Sequence, residues 1–255
     1  MAAKDPSRSG NPAVRSGAAR PTGASPATAT GATATRRPRQ RLVLGILLVA
    51  AALILVAAVS VISWQKSHQD PTAPAAQPSF GPVTLTDGKP IVLGKATAPV
   101  TLTLFEDFNC PHCAEFEATL GSTITALQRA GTLKVELYPM SFVSKRSPAL
   151  ANAMACAATE GFGQAYWIGL FGNYGLSWSD GQLVKLGTLA GKPTPDFAGC
   201  VGSGRHAGWV DSITRAAQQQ KVGETPTVFI NGVRQPDKAA TWTAAELKSR
   251  IEAAR

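Results

Sequence analysis

Histidine and cysteine are scarce in this chain, with three of the first and four of the second in 255 residues. A structural zinc site needs four ligands, usually as two close pairs. Cys110 and Cys113 make one pair, but Cys156 and Cys200 stand far apart and neither belongs to a second Cys-x-x-Cys. His68 and His206 have no ligand-like neighbours in sequence, so no metal is expected. Covalent haem requires Cys-x-x-Cys-His, and Ala114 follows Cys113 instead. Charged residues are also few, at 16%, and unevenly placed. The first 41 residues hold eight basic side chains against the single acid Asp5; the rest holds 17 basic and 15 acidic. A near-neutral remainder offers no basic surface for neutralising phosphates, and no nucleic-acid partner is expected. There is no internal repeat.

Residues 1–41 have almost no large apolar side chains and are rich in Ala, Pro, Thr, Ser, Gly and Arg. Such a segment cannot bury enough surface to offset chain entropy, and a disordered basic tail is expected. From Leu42 to Ile62 the chain then runs 21 residues without a charge. At about 1.5 Å per residue this helix spans about 30 Å, the thickness of a bilayer's hydrocarbon core. Arg36, Arg37, Arg39 and Arg41 precede it. Positive-inside bias therefore places the tail in the cytoplasm and everything after Ile62 outside, with Trp64 at the interface. A buried core helix competes poorly, because core helices rarely run so long without a polar face. A cleaved signal peptide competes better, but the leader is long, the apolar run exceeds the usual span of about 7–15 residues, and Ala73-Pro74-Ala75 lies well beyond it. The reading is an uncleaved, single-pass membrane anchor. Residues 63–82 follow, with four prolines in QDPTAPAAQPSFGP, and are expected to be an extended, semi-rigid spacer.

Residues 83–255 have the composition of a globular α/β domain. VTLTDGKPIVLG reads as a small hairpin turning at Asp87-Gly88. VTLTLFEDF reads as a core strand, and Phe116, Leu120, Ile124 and Leu127 form a one-face helical stripe after it. LKVELYPM is the next strand. From about 148 to 220, four helices are expected: ALANAMACAAT, GQAYWIGLFGNYG, GQLVKLGTLAG and HAGWVDSITRAAQQQ. TPTVFING then reads as a short strand, and TAAELKSRIEAAR as a closing amphipathic helix.

The stretch FEDFNCPHCAEFE puts Cys110 and Cys113 where a core strand enters a helix. An inert structural disulfide fits that place poorly; a redox centre fits it well. The unpaired N–H groups of the first helical turn point at the Cys110 sulfur, and the helix dipole favours negative charge there. Pro111 suits a first-turn position because its missing N–H loses nothing. His112 adds a donor or a positive charge, while Glu106, Asp107, Glu115 and Glu117 oppose the effect. The net lowering of the pKa populates the thiolate, the species that attacks disulfides.

VTLTLFEDFNCPHC followed by a helix, together with a distant GETPTVFING, resembles the DsbA-like thiol–disulfide oxidoreductases. The likeness spans residues 83–255, and Cys-Pro-His-Cys is the characteristic centre of that family. It implies a thioredoxin-like α/β fold with an inserted helical block at about 148–220. It also implies that Cys110 is the exposed nucleophile, Cys113 the buried resolving thiol, and Pro226 a cis-proline facing them, with Thr225 offering backbone groups to an extended substrate. The family often places a buried acid six residues before the first cysteine. Leu104 stands there instead, leaving Glu106 or Asp107 as candidate proton acceptors. Outside the membrane, and with an even count, Cys156 and Cys200 are expected to form a structural disulfide, the pairing that leaves the active cysteines free; a free buried cysteine is the other reading.

The expected function is an extracytoplasmic oxidase that introduces disulfides into exported proteins, without a cofactor. A quinone-linked membrane oxidase is implied as its recycling partner. A reductase or isomerase on the same fold is the alternative, and a non-catalytic metal-handling or binding module is the third reading.

Overall fold

The computed structural model describes residues 38–191 and 193–255. The expected tail therefore lies outside the described residues as far as residue 37. Helix α1 runs Pro38–His68, longer at both ends than the apolar run that marks it. Pro38 suits the first turn of a helix. At the other end Trp64, Gln65 and Lys66 carry no helix-breaking feature, and Pro71 is the first residue that disfavours continuation. Leu42–Gln65 is long and apolar enough to cross a membrane, and its side chains are exposed. So large an exposed apolar surface suits a hydrocarbon solvent and not water.

Beyond α1 the core is a five-stranded mixed sheet. Its strands are β1 (Ile91–Leu93), β2 (Val100–Glu106), β3 (Leu133–Pro139), β4 (Thr227–Ile230) and β5 (Val233–Arg234), in the order β1-β3-β2-β4-β5. Strand β2 is central: it pairs in parallel with β3, Leu102 opposite Val135, and antiparallel with β4, Leu104 opposite Val228. Parallel neighbours need a crossover, and α2 (Pro111–Ala130) supplies it. That helix buries Phe116, Leu120 and Ile124, as the stripe predicts. It ends at Gly131, whose left-handed φ of 74° closes the last turn.

The helical block consists of α3 (Ser147–Thr159), α4 (Gly163–Gly172), α5 (Asp180–Ala190), α6 (Phe197–Ser203) and α7 (Ala207–Gln219). Helix α8 (Ala244–Ala253) closes the chain, opened by a capping box between Thr243 and Glu246. The sequence reading passed over the short, glycine-containing α6 and over β5. The expected hairpin before β1 does not form: Asp87-Gly88 makes a turn, with Lys89 N–H donating to Thr86 O, but β1 pairs with β3. A three-residue strand gains more from the exposed edge of a buried sheet than from a two-stranded ribbon alone.

The proline-rich stretch is not a free spacer. After α1, residues 69–82 lie along the domain as a strap. Gln69 O accepts from Gln182, Asp70 pairs with Lys185, and Thr72 bonds Asn173. Further on, Arg129 donates to Ala76 O and Val83 N–H to Ala158 O. Pro71 is buried and Phe80 packs on the core. Prolines favour an extended backbone in either setting. Here the groups that backbone leaves unpaired find partners on α2, α3 and α5 and on Asn173, just past α4, rather than in water.

Candidate active site

Strand β2 delivers the chain to the cysteines, and α2 begins at Cys110, which stands at the helix N-cap with Pro111 in the first turn. Cys110 and Cys113 are free thiols. Cys110 is 5% exposed and Cys113 is fully buried. Their environments separate them further. A hydrogen bond from the Cys113 thiol lowers the Cys110 pKa most; the Thr225 side chain and the backbone N–H groups of Cys113 and His112 add to it, against a rise from burial. The net value is about 5. The thiol form of Cys110 has its own contact, donating to Thr225 O at 3.3 Å. Cys113 is pushed strongly upward, first by burial, then by its bond to Cys110 and by the nearby Glu106.

The Thr225–Pro226 peptide bond is cis, and both residues are partly exposed beside Cys110. The His112 ring lies in solvent, with Nδ1 3.4 Å from a Glu115 carboxylate oxygen. The donor that His112 gives Cys110 is its backbone N–H, a group that any residue but proline would supply at this position.

The two candidate proton acceptors part ways. Asp107 is fully buried and fully engaged: one oxygen accepts from Asn109 N–H and the Ser147 hydroxyl, the other from the N–H groups of Phe142 and Val143. It braces the loop before α3 against the Cys-Pro-His-Cys turn and has no lone pair to spare for a thiol. Glu106 is also fully buried; its Oε2 accepts from the Trp167 indole at 3.1 Å, and its carboxyl shares a hydrogen bond with the neighbouring Glu117 carboxyl. Strand parity explains the division. Side chains alternate across a strand, so Glu106 projects to the same side as Leu104, one step nearer the cysteines, while Asp107 projects to the other. Burial raises the Glu106 pKa strongly, and neighbouring Glu117 raises it further.

Glu117, one helical turn after Cys113, is a site residue the sequence reading counted only as a charge. Its place four residues after Cys113 and three before Leu120, on the buried face of α2, was the available signal. Trp167 was missed as well, and no pattern in the sequence marks it.

Cys156 and Cys200 are bridged, joining α3 to α6. Contrary to the sequence reading, His206 has ligand-like neighbours: its ring nitrogen and the two sulfurs lie within 4.8 Å of one another. The bridge brings them together, and it also ties up both sulfurs, leaving the imidazole as the one free donor of the three.

A mixed sheet with an inserted helical block, and a Cys-x-x-Cys at the strand-to-helix junction, define the DsbA type of thiol–disulfide oxidoreductase. A family model described as Thioredoxin matches residues 86–253, and the chain belongs to the thioredoxin family. Among solved structures, oxidised BdbD from Bacillus subtilis is 25% identical, with a TM-score of 0.58, over 73% of this chain and 98% of that one. MdbA, a thiol-disulfide oxidoreductase from Actinomyces oris, is 20% identical, with a TM-score of 0.60, over 71% and 96%. The reduced disulfide oxidoreductase DsbG from Mycobacterium tuberculosis is 22% identical, with a TM-score of 0.57, over 66% and 88%. Two curated relatives, each called Na(+)/H(+) antiporter NhaA 1, from Mycolicibacterium vanbaalenii and Mycolicibacterium gilvum, are 28% identical over 174 residues, 64% of this chain; the match spans 26% of their length.

Proposed function

We propose that this protein is a membrane-anchored, extracytoplasmic oxidase that passes its Cys110–Cys113 disulfide to exported proteins. The observation that carries the reading is the split between the two thiols, Cys110 held near 5 and Cys113 pushed far up. A stabilised Cys110 thiolate favours the reduced form over the disulfide, and a disulfide that gains by being reduced is a strong oxidant. The position of the arginines before the apolar run that starts at Leu42 supports a cytoplasmic N-terminus. A match over a quarter of an antiporter's length transfers no transport activity.

In the reaction, a substrate thiolate attacks the Cys110 sulfur, a mixed disulfide forms, and Cys113 leaves. Glu106 supplies the proton that Cys113 takes up on leaving. A second substrate thiolate then attacks its own sulfur in the mixed disulfide and releases Cys110 as a thiolate. The substrate loses two electrons and two protons; the protein keeps both electrons, one proton replaces the one that Glu106 gave to Cys113, and the other goes to solvent. Thr225 and Pro226 line the approach, with the Thr225 backbone pairing an extended substrate. Recycling requires an electron acceptor, which we assign to a quinone-linked membrane oxidase.

The reduction potential of the Cys110–Cys113 pair tests this reading. A value nearer about −120 mV than about −270 mV supports the oxidase. A value at the lower end, with the oxidised form the more stable, overturns it in favour of a reductase.

A further inference from the structure

The inner bridge has a third neighbour. Cys156 on α3 and Cys200 on α6 stand with their Cα atoms 6.1 Å apart. A ring nitrogen of His206 lies within 4.8 Å of both sulfurs. His206 is the residue before α7 and is half-buried. Its backbone N–H is bonded, but no hydrogen bond from a described residue engages its ring. Two sulfurs and a free imidazole are the donor set of zinc and cations of similar softness. Calcium and magnesium require oxygen ligands, and this cluster supplies none.

Contacts other than the S–S bond hold these donors together. Asn152 is 2% exposed and lies one turn before Cys156 on α3. Its Nδ2 donates to Cys200 O and Val201 O, and its Oδ1 accepts the His206 N–H. One buried amide thus ties α3 to α6 and to the start of α7. Gly204 ends α6 with a left-handed φ of 63°, and Arg205 N–H returns to Cys200 O, which turns the chain back toward the bridge. The Arg205 guanidinium is paired with Asp196, so the cation beside His206 is already neutralised. Opening the bridge therefore leaves all three donors in one place. Tetrahedral bonds of about 2.0–2.3 Å set neighbouring donors about 3.5–3.8 Å apart. Side-chain rotation alone reaches that spacing from where these atoms stand.

We propose that Cys156, Cys200 and His206 form a redox-gated site for zinc or a divalent cation of similar softness, closed while the bridge stands and opened by its reduction. In the opening step a dithiol gives two electrons to the Cys156–Cys200 bond, which breaks, and one proton to each sulfur; the dithiol becomes a disulfide. The cation then binds both sulfurs as thiolates together with the neutral imidazole, and the two thiol protons go to solvent. Water fills the fourth position. The two thiolates cancel the charge of the ion, so neither sign is left unpaired in the interior. A disulfide oxidant reverses the sequence: it takes two electrons from the sulfurs, the bridge re-forms and the cation leaves. Helices α3 and α6 are then cross-linked in both states, by a covalent bond in one and by a metal in the other. Neither exchanging cysteine takes part, so the site is independent of the direction in which Cys110 and Cys113 work.

The test is a titration with cobalt(II), a coloured substitute for zinc, in the full-length protein in detergent. Cys110→Ala with Cys113→Ala forms the background and removes the other dithiol. After reduction by a phosphine that is then removed, the protein should bind one equivalent of cobalt, with thiolate-to-cobalt charge-transfer bands and the visible bands of a tetrahedral ion. One equivalent of zinc should bleach them. The unreduced protein should show neither set. His206→Ala should weaken cobalt binding by at least about 100-fold, the upper end of what a lost outer partner costs a metal site. Zinc should also raise the denaturant midpoint of the reduced protein and leave that of the bridged protein unchanged. Three results would each overturn the site: no thiolate–cobalt absorption in reduced protein that keeps its helical circular dichroism, equal bands in the unreduced protein, or an unchanged affinity in His206→Ala. Reduction that unfolds the helical block, with no recovery on adding zinc, overturns it as well, because Asn152 then does not hold the donors together.

Discussion

The chain carries two cysteine pairs of opposite character. Cys110–Cys113 sits at a helix N-terminus with backbone amides, a hydroxyl side chain and a second thiol directed at the outer sulfur, and it stands open. Cys156–Cys200 joins two helices across the interior of the insertion, fully buried on one side and nearly so on the other, and it is closed. The element is the same. What differs is whether the fold stabilises the thiolate and whether another molecule can reach the sulfur. A bridge between distant segments restricts the unfolded chain and stabilises the fold. A bridge between residues three apart restricts little, and its energy is governed by the thiols it yields.

The comparison breaks first at the nucleophile. Cys110→Ser is expected to reduce the rate of peptide-dithiol oxidation by more than about a thousandfold. Cys156→Ser with Cys200→Ser should leave that rate within about twofold, since neither sulfur touches the exchanging pair. Equal losses from both changes would erase the distinction.

Stability should respond the other way round. The double serine variant of the inner bridge is expected to lose about 2–4 kcal/mol in denaturant unfolding, in both redox states of the outer pair. Asp107→Asn probes the frame between the pairs. It replaces a carboxyl that accepts four hydrogen bonds by an amide with one acceptor oxygen and should lose about 1.5–3 kcal/mol. Amide exchange should rise at Phe142 and Val143. A Cys113 titration altered with no loss of stability would return Asp107 to the role of proton acceptor.

The outer pair should also be sensitive to pH. Its folded pKa of about 5 is depressed from an unfolded value of about 8.5. Stability from this source is therefore complete above about pH 8.5 and is lost as pH falls through 5. The reduced form should exceed the oxidised one in stability at neutral pH, and the gap should close on acidification toward pH 5. Unfolding of both forms across pH 4–9 checks the sign; a gap that widens in acid contradicts it. The smallest effect is expected from His112→Ser. The ring faces Glu115 and solvent, so the Cys110 pKa should rise by less than about one unit, the range of exposed charge interactions. A larger rise would mean that the imidazole acts on the sulfur directly.

Much of this was legible in the sequence. Cys110-Pro111-His112-Cys113 at the end of VTLTLFEDF marked a strand-to-helix redox junction, because a thiolate needs donors and a helix start provides them. The stripe of Phe116, Leu120 and Ile124 marked the helix face that meets the sheet. Other parts were not legible. The strap at 69–82 reads as a spacer because nothing in its composition shows that Asn173, Gln182 and Arg129 hold its backbone. Strand β1 reads as half of a hairpin because its true partner, β3, lies some 40 residues on.

By itself, then, the sequence determined the apolar span and the α/β class through local pattern and spacing, while the cis-proline followed from the resemblance of its motifs to a known family. Tertiary structure alone decided which of two adjacent acids lies beside the buried thiol. Glu106 and Asp107 are adjacent carboxylates of equal standing in a string of letters. The pleat turns one toward Cys113 and Glu117, and the other into the amides of Phe142 and Val143. Burial then leaves the first open to a proton and the second saturated with hydrogen bonds. Proton affinity depends on what surrounds a group in three dimensions, and no local spacing encodes that.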